Sequence, residues 1–76
     1  MNRIIFHVEL TLDGDPDTAY VQQMAENMAE ALQREANEAG LSPDSGPCVE
    51  RIRVSSVTDP VSGEYFRIMP VEREID

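Results

Sequence analysis

The chain has 76 residues and a formal net charge of -9, from 15 acidic and 6 basic side chains, and it contains no lysine. This length fits one small domain, and no apolar run approaches the roughly 20 residues that cross a bilayer. Nucleic-acid binding needs a basic surface, so the charge argues against direct contact with DNA, RNA or an anionic membrane. The single cysteine, Cys48, fits a reducing compartment, and we expect a cytoplasmic protein.

The first predicted element is a strand over residues 3–12, where apolar residues alternate with mostly polar residues in a period of two. Its apolar face consists of Ile4, Phe6, Val8, Leu10 and Leu12. A turn at Asp13–Asp17 follows, with Asp15 as the expected N-cap and Pro16 at the first helical position. The alternating aspartates resemble the start of a calcium loop, but positions six and twelve are Thr18 and Met24, so we favour a turn.

The second predicted element is an amphipathic helix over residues 16–39, because the apolar period changes to 3.6. Its buried stripe is predicted to contain Val21, Ala25, Met28, Leu32, Ala36 and Ala39. Glu30 and Arg34 are spaced for an ion pair, and Gly40 suits the left-handed position after the helix. The exposed side is acidic, and Glu26, Glu30 and Glu38 on this acidic helix face are candidate partner-binding residues.

Two further strands are predicted over residues 48–58 and 65–69, with a turn between them and an acidic tail at 71–76 that should fray. The predicted fold is therefore a single α+β domain of order β-α-β-β, with one helix on one face of a three-stranded, mostly antiparallel sheet. The third strand is expected at the centre; parallel pairing of the first and second strands is the alternative.

One helix covers only one face of three strands, so the other face should be open. The residues expected on this open sheet face are Ile5, His7, Arg51, Arg53, Tyr65, Arg67 and Met69. Exposed apolar side chains beside arginines are typical of interfaces. We therefore expect a homo-oligomer that associates through this face.

The sequence offers little support for catalysis, metal binding or a cofactor. His7 and Glu9 share one strand face, but there is no second histidine to complete a metal site. Cys48 has no base or helix N-terminus nearby in sequence that would activate it, so we interpret it as a small hydrophobic residue. We expect no catalytic residue, no metal and no cofactor.

The predicted element order resembles that of two families. Small tautomerases of the 4-oxalocrotonate type have a similar layout, and Arg51-Ile52-Arg53-Val54 looks like their second strand, where an arginine binds the substrate carboxylate. Their catalytic N-terminal proline is replaced here by Asn2, so their activity is not implied. Dodecins have the same order and assemble through the open sheet face, but their flavin stacks on a tryptophan, which this chain lacks.

Two functions remain open from the sequence. The first is a non-enzymatic interaction protein that binds a basic surface of a protein partner. Small acidic proteins of phages and other mobile elements act in this way as inhibitors, including anti-CRISPR proteins. The second is a self-assembling scaffold of dodecin-like or tautomerase-like layout that binds a small anionic ligand near its arginines.

Overall fold

The computed structural model describes residues 2–44, 46–57, 61 and 66–76. Among them, helix α1 spans Thr18–Asn37, strand β1 spans Arg51–Val54 and strand β2 spans Val71–Glu74. The strands form an antiparallel two-stranded sheet, and α1 packs against both of them. The predicted helix is confirmed, two residues shorter at each end than expected.

Helix α1 begins later than predicted because Asp17, not Asp15, is its N-cap. The Asp17 backbone is extended, and its Oδ1 accepts a hydrogen bond of 2.8 Å from the Tyr20 backbone N–H. A carboxylate in this position satisfies one of the N–H groups that have no partner within the helix. Pro16 therefore precedes the cap instead of occupying the first helical position.

The end of α1 also differs from the prediction by one residue. Ala39, not Gly40, adopts the left-handed conformation, with φ 60°. The Gly40 N–H donates to the Glu35 carbonyl at 2.7 Å, and the Ala39 N–H donates to the Ala36 carbonyl at 3.0 Å. These two bonds form a Schellman motif with alanine where glycine is usual. The side chain of Ala39 therefore adds backbone strain at this end of the helix.

The sheet pairs β1 with the segment that the sequence analysis assigned to a frayed tail. Arg51 lies opposite Glu74 and Arg53 opposite Glu72, while Val54 lies opposite Val71 on the helix side. Opposite charges directly across a strand pair are favourable, and so are paired β-branched residues. The sequence of β2 therefore complements that of β1 on both faces of the sheet.

The prediction of a three-stranded sheet is wrong, since the described residues form two strands. The predicted strand at 48–58 is reduced to β1, and residues 66–69 of the predicted third strand are not in a strand. Residues 3–12 have no strand partner among the described residues and are exposed throughout. The alternation of apolar and polar residues predicts that this segment has two faces. A strand also needs a neighbouring strand that pairs with its backbone N–H and C=O groups.

The core of the described residues is small. Its buried members are Ala25 and Ala29 on α1 and Val71 on β2, with Val54 and Ile68 packed against them. The helix stripe predicted to be buried is displaced, since Val21, Met28 and Leu32 are only partly buried. Small helix residues allow the sheet to approach closely but bury little apolar area, so polar contacts between elements carry more of the packing.

Candidate interaction surfaces

The acidic helix face lies on α1 and at its C-terminal cap. Glu30 and Glu38 are exposed and Glu26 is partly buried. No ion pair between described residues involves any of the three, and the predicted pair of Glu30 with Arg34 is not among those formed. These three carboxylates are therefore not ion-paired within the described part of the chain, and with Arg34 beside Glu30 and Glu38 the acidic helix face keeps a net negative charge.

The C-terminal segment 69–76 is held along one side of α1 by three polar side chains of the helix. Gln22 makes two bonds to Met69: its Nε2 donates to the carbonyl at 3.1 Å, and its Oε1 accepts from the backbone N–H at 2.8 Å. Gln33 Nε2 donates to the Glu74 carbonyl at 2.8 Å. Asn37 Oδ1 accepts from the Asp76 backbone N–H at 3.0 Å. These contacts place Asp76 beside Asn37, the last residue of α1, which directly precedes Glu38 in the sequence.

Two shallow depressions lie on the described surface beside α1, and segment 69–76 lines the second of them. One is lined by Glu30, Gln33, Arg34, Asn37 and Glu38, and the other by Gln22, Glu26 and residues 69–73. Both are open to solvent, and each contains part of the acidic helix face. This shape is suited to contact with a protein surface more than to enclosure of a small molecule.

The outer face of the sheet is neutralised by two ion pairs. Arg51 Nε lies 3.0 Å from Glu74 Oε1, and Arg53 Nε lies 3.8 Å from Glu72 Oε1. All four side chains are more than half exposed, so each pair contributes at most about 1 kcal/mol. Sequence reasoning missed both glutamates, although their spacing matches that of the two arginines. An anionic ligand at these arginines would compete with two carboxylates of the same chain.

The structure does not bring the predicted open sheet face together as one surface. Arg51 and Arg53 lie on β1, whereas Ile5 and His7 lie in the separate segment 3–12. Arg67 and Met69 are exposed in the chain that leads to β2, and Tyr65 lies outside the described residues. A surface made of all these residues therefore has no support in the arrangement of the two described strands.

The segment 3–12 exposes large apolar side chains. Phe6 is 81% exposed and Ile4 76%, and Ile5, Val8, Leu10 and Leu12 are exposed as well. Among the described residues, no hydrogen bond or ion pair involves this segment. Segment 3–12, which has the clearest strand pattern in the sequence, is therefore not part of the core of the described residues.

The candidate chemical groups of the sequence lie apart from one another. His7 is exposed in the N-terminal segment, and Cys48 is exposed, with its Sγ 3.9 Å from the Gly46 carbonyl oxygen. Across residues 2–44, 46–57, 61 and 66–76, no three His, Cys, Asp or Glu side chains form a group that could hold a metal ion.

The described helix does not combine the length and the apolar character that a membrane span requires. Comparison with protein families, with curated proteins and with solved structures finds no match for this chain. The function of the chain is therefore inferred from the surfaces described above.

Proposed function

We propose that the chain is a non-enzymatic interaction protein that presents the acidic helix face to a basic surface of a protein partner. The observation that supports this most directly is the distribution of ion pairs. Both ion pairs between described residues lie on the outer face of the sheet, whereas Glu26, Glu30 and Glu38 have none. Uncompensated charge on one side of a small protein steers a partner of opposite charge and fixes its orientation.

The rigidity of this side of the molecule also supports the proposal. Gln22, Gln33 and Asn37 fix the chain alongside α1, so the carboxylates project from a supported surface. A preorganised surface loses less conformational entropy on binding than a mobile acidic tail does. By analogy of size and charge, an inhibitor that occupies a nucleic-acid-binding surface would work in this way, as small acidic proteins of phages and mobile elements do. We place this function in the cytoplasm because of the single cysteine.

The test uses two baits with the same change in net charge. The first carries Glu26→Lys, Glu30→Lys and Glu38→Lys; the control carries Glu9→Lys, Asp15→Lys and Asp44→Lys, which are exposed elsewhere in the chain. Proteins captured from the source organism are identified, and the affinity of each purified candidate is measured at about 0.05 M and 0.5 M salt. We expect the first variant to lose binding, the control to retain most of it, and wild-type affinity to fall with salt.

Equal loss with both variants would indicate non-specific attraction and would contradict a defined acidic site. Wild-type affinity that does not change with salt would contradict the proposal as well, because screening must weaken contacts between exposed charges.

A second candidate function, self-assembly into a scaffold, is favoured by a separate observation. The chain exposes 6742 Å² of surface, whereas a compact monomer of this mass exposes about 4,700 Å². The exposed apolar side chains of segment 3–12 contribute to this surface. We do not extend this candidate to an anionic ligand, because Arg51 and Arg53 already face glutamates. Light scattering at micromolar concentration tests it, and a monomer at all concentrations would exclude it.

A further inference from the structure

The segment 3–13 is self-complementary in one antiparallel register. If Val8 lies opposite Val8 of a second copy, Arg3 lies opposite Asp13 and His7 opposite Glu9, each twice. The even-numbered residues then pair only with one another, Ile4 with Leu12 and Phe6 with Leu10. Opposite charges and apolar pairs across an antiparallel pair are both stabilising.

Neighbouring arrangements lack this match. With His7 at the two-fold axis, Arg3 would face Thr11 and Ile5 would face Glu9. A parallel pair in register would set Arg3 against Arg3 and Glu9 against Glu9, and like charges directly opposite are destabilising. The sequence of the exposed segment thus distinguishes one register from its alternatives.

We propose that two copies of this chain form a dimer by antiparallel pairing of residues 3–13 about a two-fold axis at Val8. This inference rests on the self-assembly proposed above and names its surface; it is independent of the acidic helix face. The pairing supplies each segment with the backbone hydrogen-bond partners that it lacks among the described residues. It is also isologous, so it closes at two copies.

The apolar face of this ribbon has a surface to pack against. Only residues 14–17 separate the segment from α1, and Val21, Met24, Met28 and Leu32 on the helix are partly buried. The ribbon can therefore lie beside the helices that follow it.

Charge permits this association despite the net charge of -9. The segment holds Arg3 against Glu9 and Asp13, a net charge of -1, whereas residues 14–44 hold seven acidic residues against Arg34. Two copies can therefore approach through a segment that carries little of the net charge.

The experiment uses disulfide cross-linking of the full chain, because Val8 alone would face itself. In the Cys48→Ser background, which removes the native thiol, Val8→Cys is compared with His7→Cys under mild oxidation. Directly opposite residues have Cα atoms about 4.5–5.5 Å apart, within the range of a disulfide, whereas His7 and its copy would be about 7–8 Å apart. We expect Val8→Cys to cross-link at least about tenfold faster.

A charge exchange provides the second readout, by sedimentation of Arg3→Glu, Asp13→Arg and their mixture. Each variant alone places like charges opposite each other twice, and we expect its dimer to be roughly tenfold weaker. In a heterodimer of the two variants, positions 3 and 13 again carry opposite charges at both ends of the pairing. Heterodimers should therefore form with near wild-type affinity. A monomeric wild type at about 100 µM, well above a micromolar dissociation constant, would overturn both the dimer and self-assembly. A dimeric wild type with equal cross-linking of the two cysteine variants, or without heterodimers in the mixture, would overturn this register while self-assembly stands.

Discussion

The two adjacent glutamines of α1, Gln22 and Gln23, provide a controlled measurement of what holds the C-terminal segment in place. Gln22 bridges 47 residues of sequence through its two bonds to Met69. Gln23 makes only a local bond within the helix, from its Nε2 to Asn27 Oδ1 at 3.0 Å. Gln22→Ala and Gln23→Ala remove the same atoms and gain the same helix propensity, so the difference between them isolates the long-range contact.

The expected loss of stability follows from the number of hydrogen bonds that Gln22→Ala removes and from their exposure to solvent. A net hydrogen bond contributes about 0.5–1.5 kcal/mol, and exposed bonds fall at the low end because water replaces the lost partner. Loss of both Gln22 bonds should therefore cost about 1–2 kcal/mol, whereas the local bond of Gln23 is worth about 0.2–0.5 kcal/mol. In a domain of this size, 1 kcal/mol lowers Tm by roughly 4–8 °C.

The assay is thermal and urea unfolding, followed by far-ultraviolet circular dichroism. We expect Gln22→Ala to unfold several degrees below Gln23→Ala. Gln22→Glu should be intermediate, because it keeps the acceptor for the Met69 N–H and loses the donor to the Met69 carbonyl. Equal stability of Gln22→Ala and Gln23→Ala would refute the reasoning, since it would mean that the segment 69–76 is not held by this side chain.

Three further predictions concern the two ends of α1 and the exposed residues His7 and Cys48. Ala39→Gly should stabilise the protein by about 1 kcal/mol by removing left-handed strain, whereas Ala36→Gly inside the helix should destabilise it by a similar amount; opposite signs in urea unfolding are the check. Asp17→Ala should cost about 1 kcal/mol through loss of the N-cap bond to Tyr20, and Asp15→Ala almost nothing, as calorimetry would show. His7→Ala and Cys48→Ser should leave the fold and binding of a basic partner nearly unchanged; loss of a measured turnover in either variant would contradict the proposal of a non-enzymatic protein.

The helix could be predicted from sequence because its signal is local and long. Twenty residues of 3.6 periodicity specify α1 without reference to the rest of the chain, and only its caps were misplaced. Three aspartates at alternate positions offered equivalent caps, and Asp17 is used because its carboxylate reaches the Tyr20 N–H. Local patterns therefore determined the type of element but not its ends.

The sheet could not be predicted in the same way because strand pairing is a property of two segments. The acidic composition of residues 71–76 predicts a tail, although Val71, Arg73 and Ile75 alternate with glutamates. The missed signal was complementarity: glutamates spaced by two match the arginines of β1, whereas pairing with residues 65–69 would have gathered Arg67 beside two other arginines. The hydrogen bonds of Gln22, Gln33 and Asn37 to segment 69–76 could not be predicted either, since polar residues on an amphipathic helix are expected to face solvent.

The division between these elements is compatible with the two separate interaction surfaces that we propose. Its core buries two alanines and one valine among the described residues, and polar contacts fix β2 to the helix, so few large apolar side chains are used internally. Those of segment 3–12 remain available beside little net charge, while the unpaired carboxylates lie on α1. Variants of Val8 should therefore change the assembly state without changing the salt dependence of partner binding, and variants of Glu30 should do the reverse.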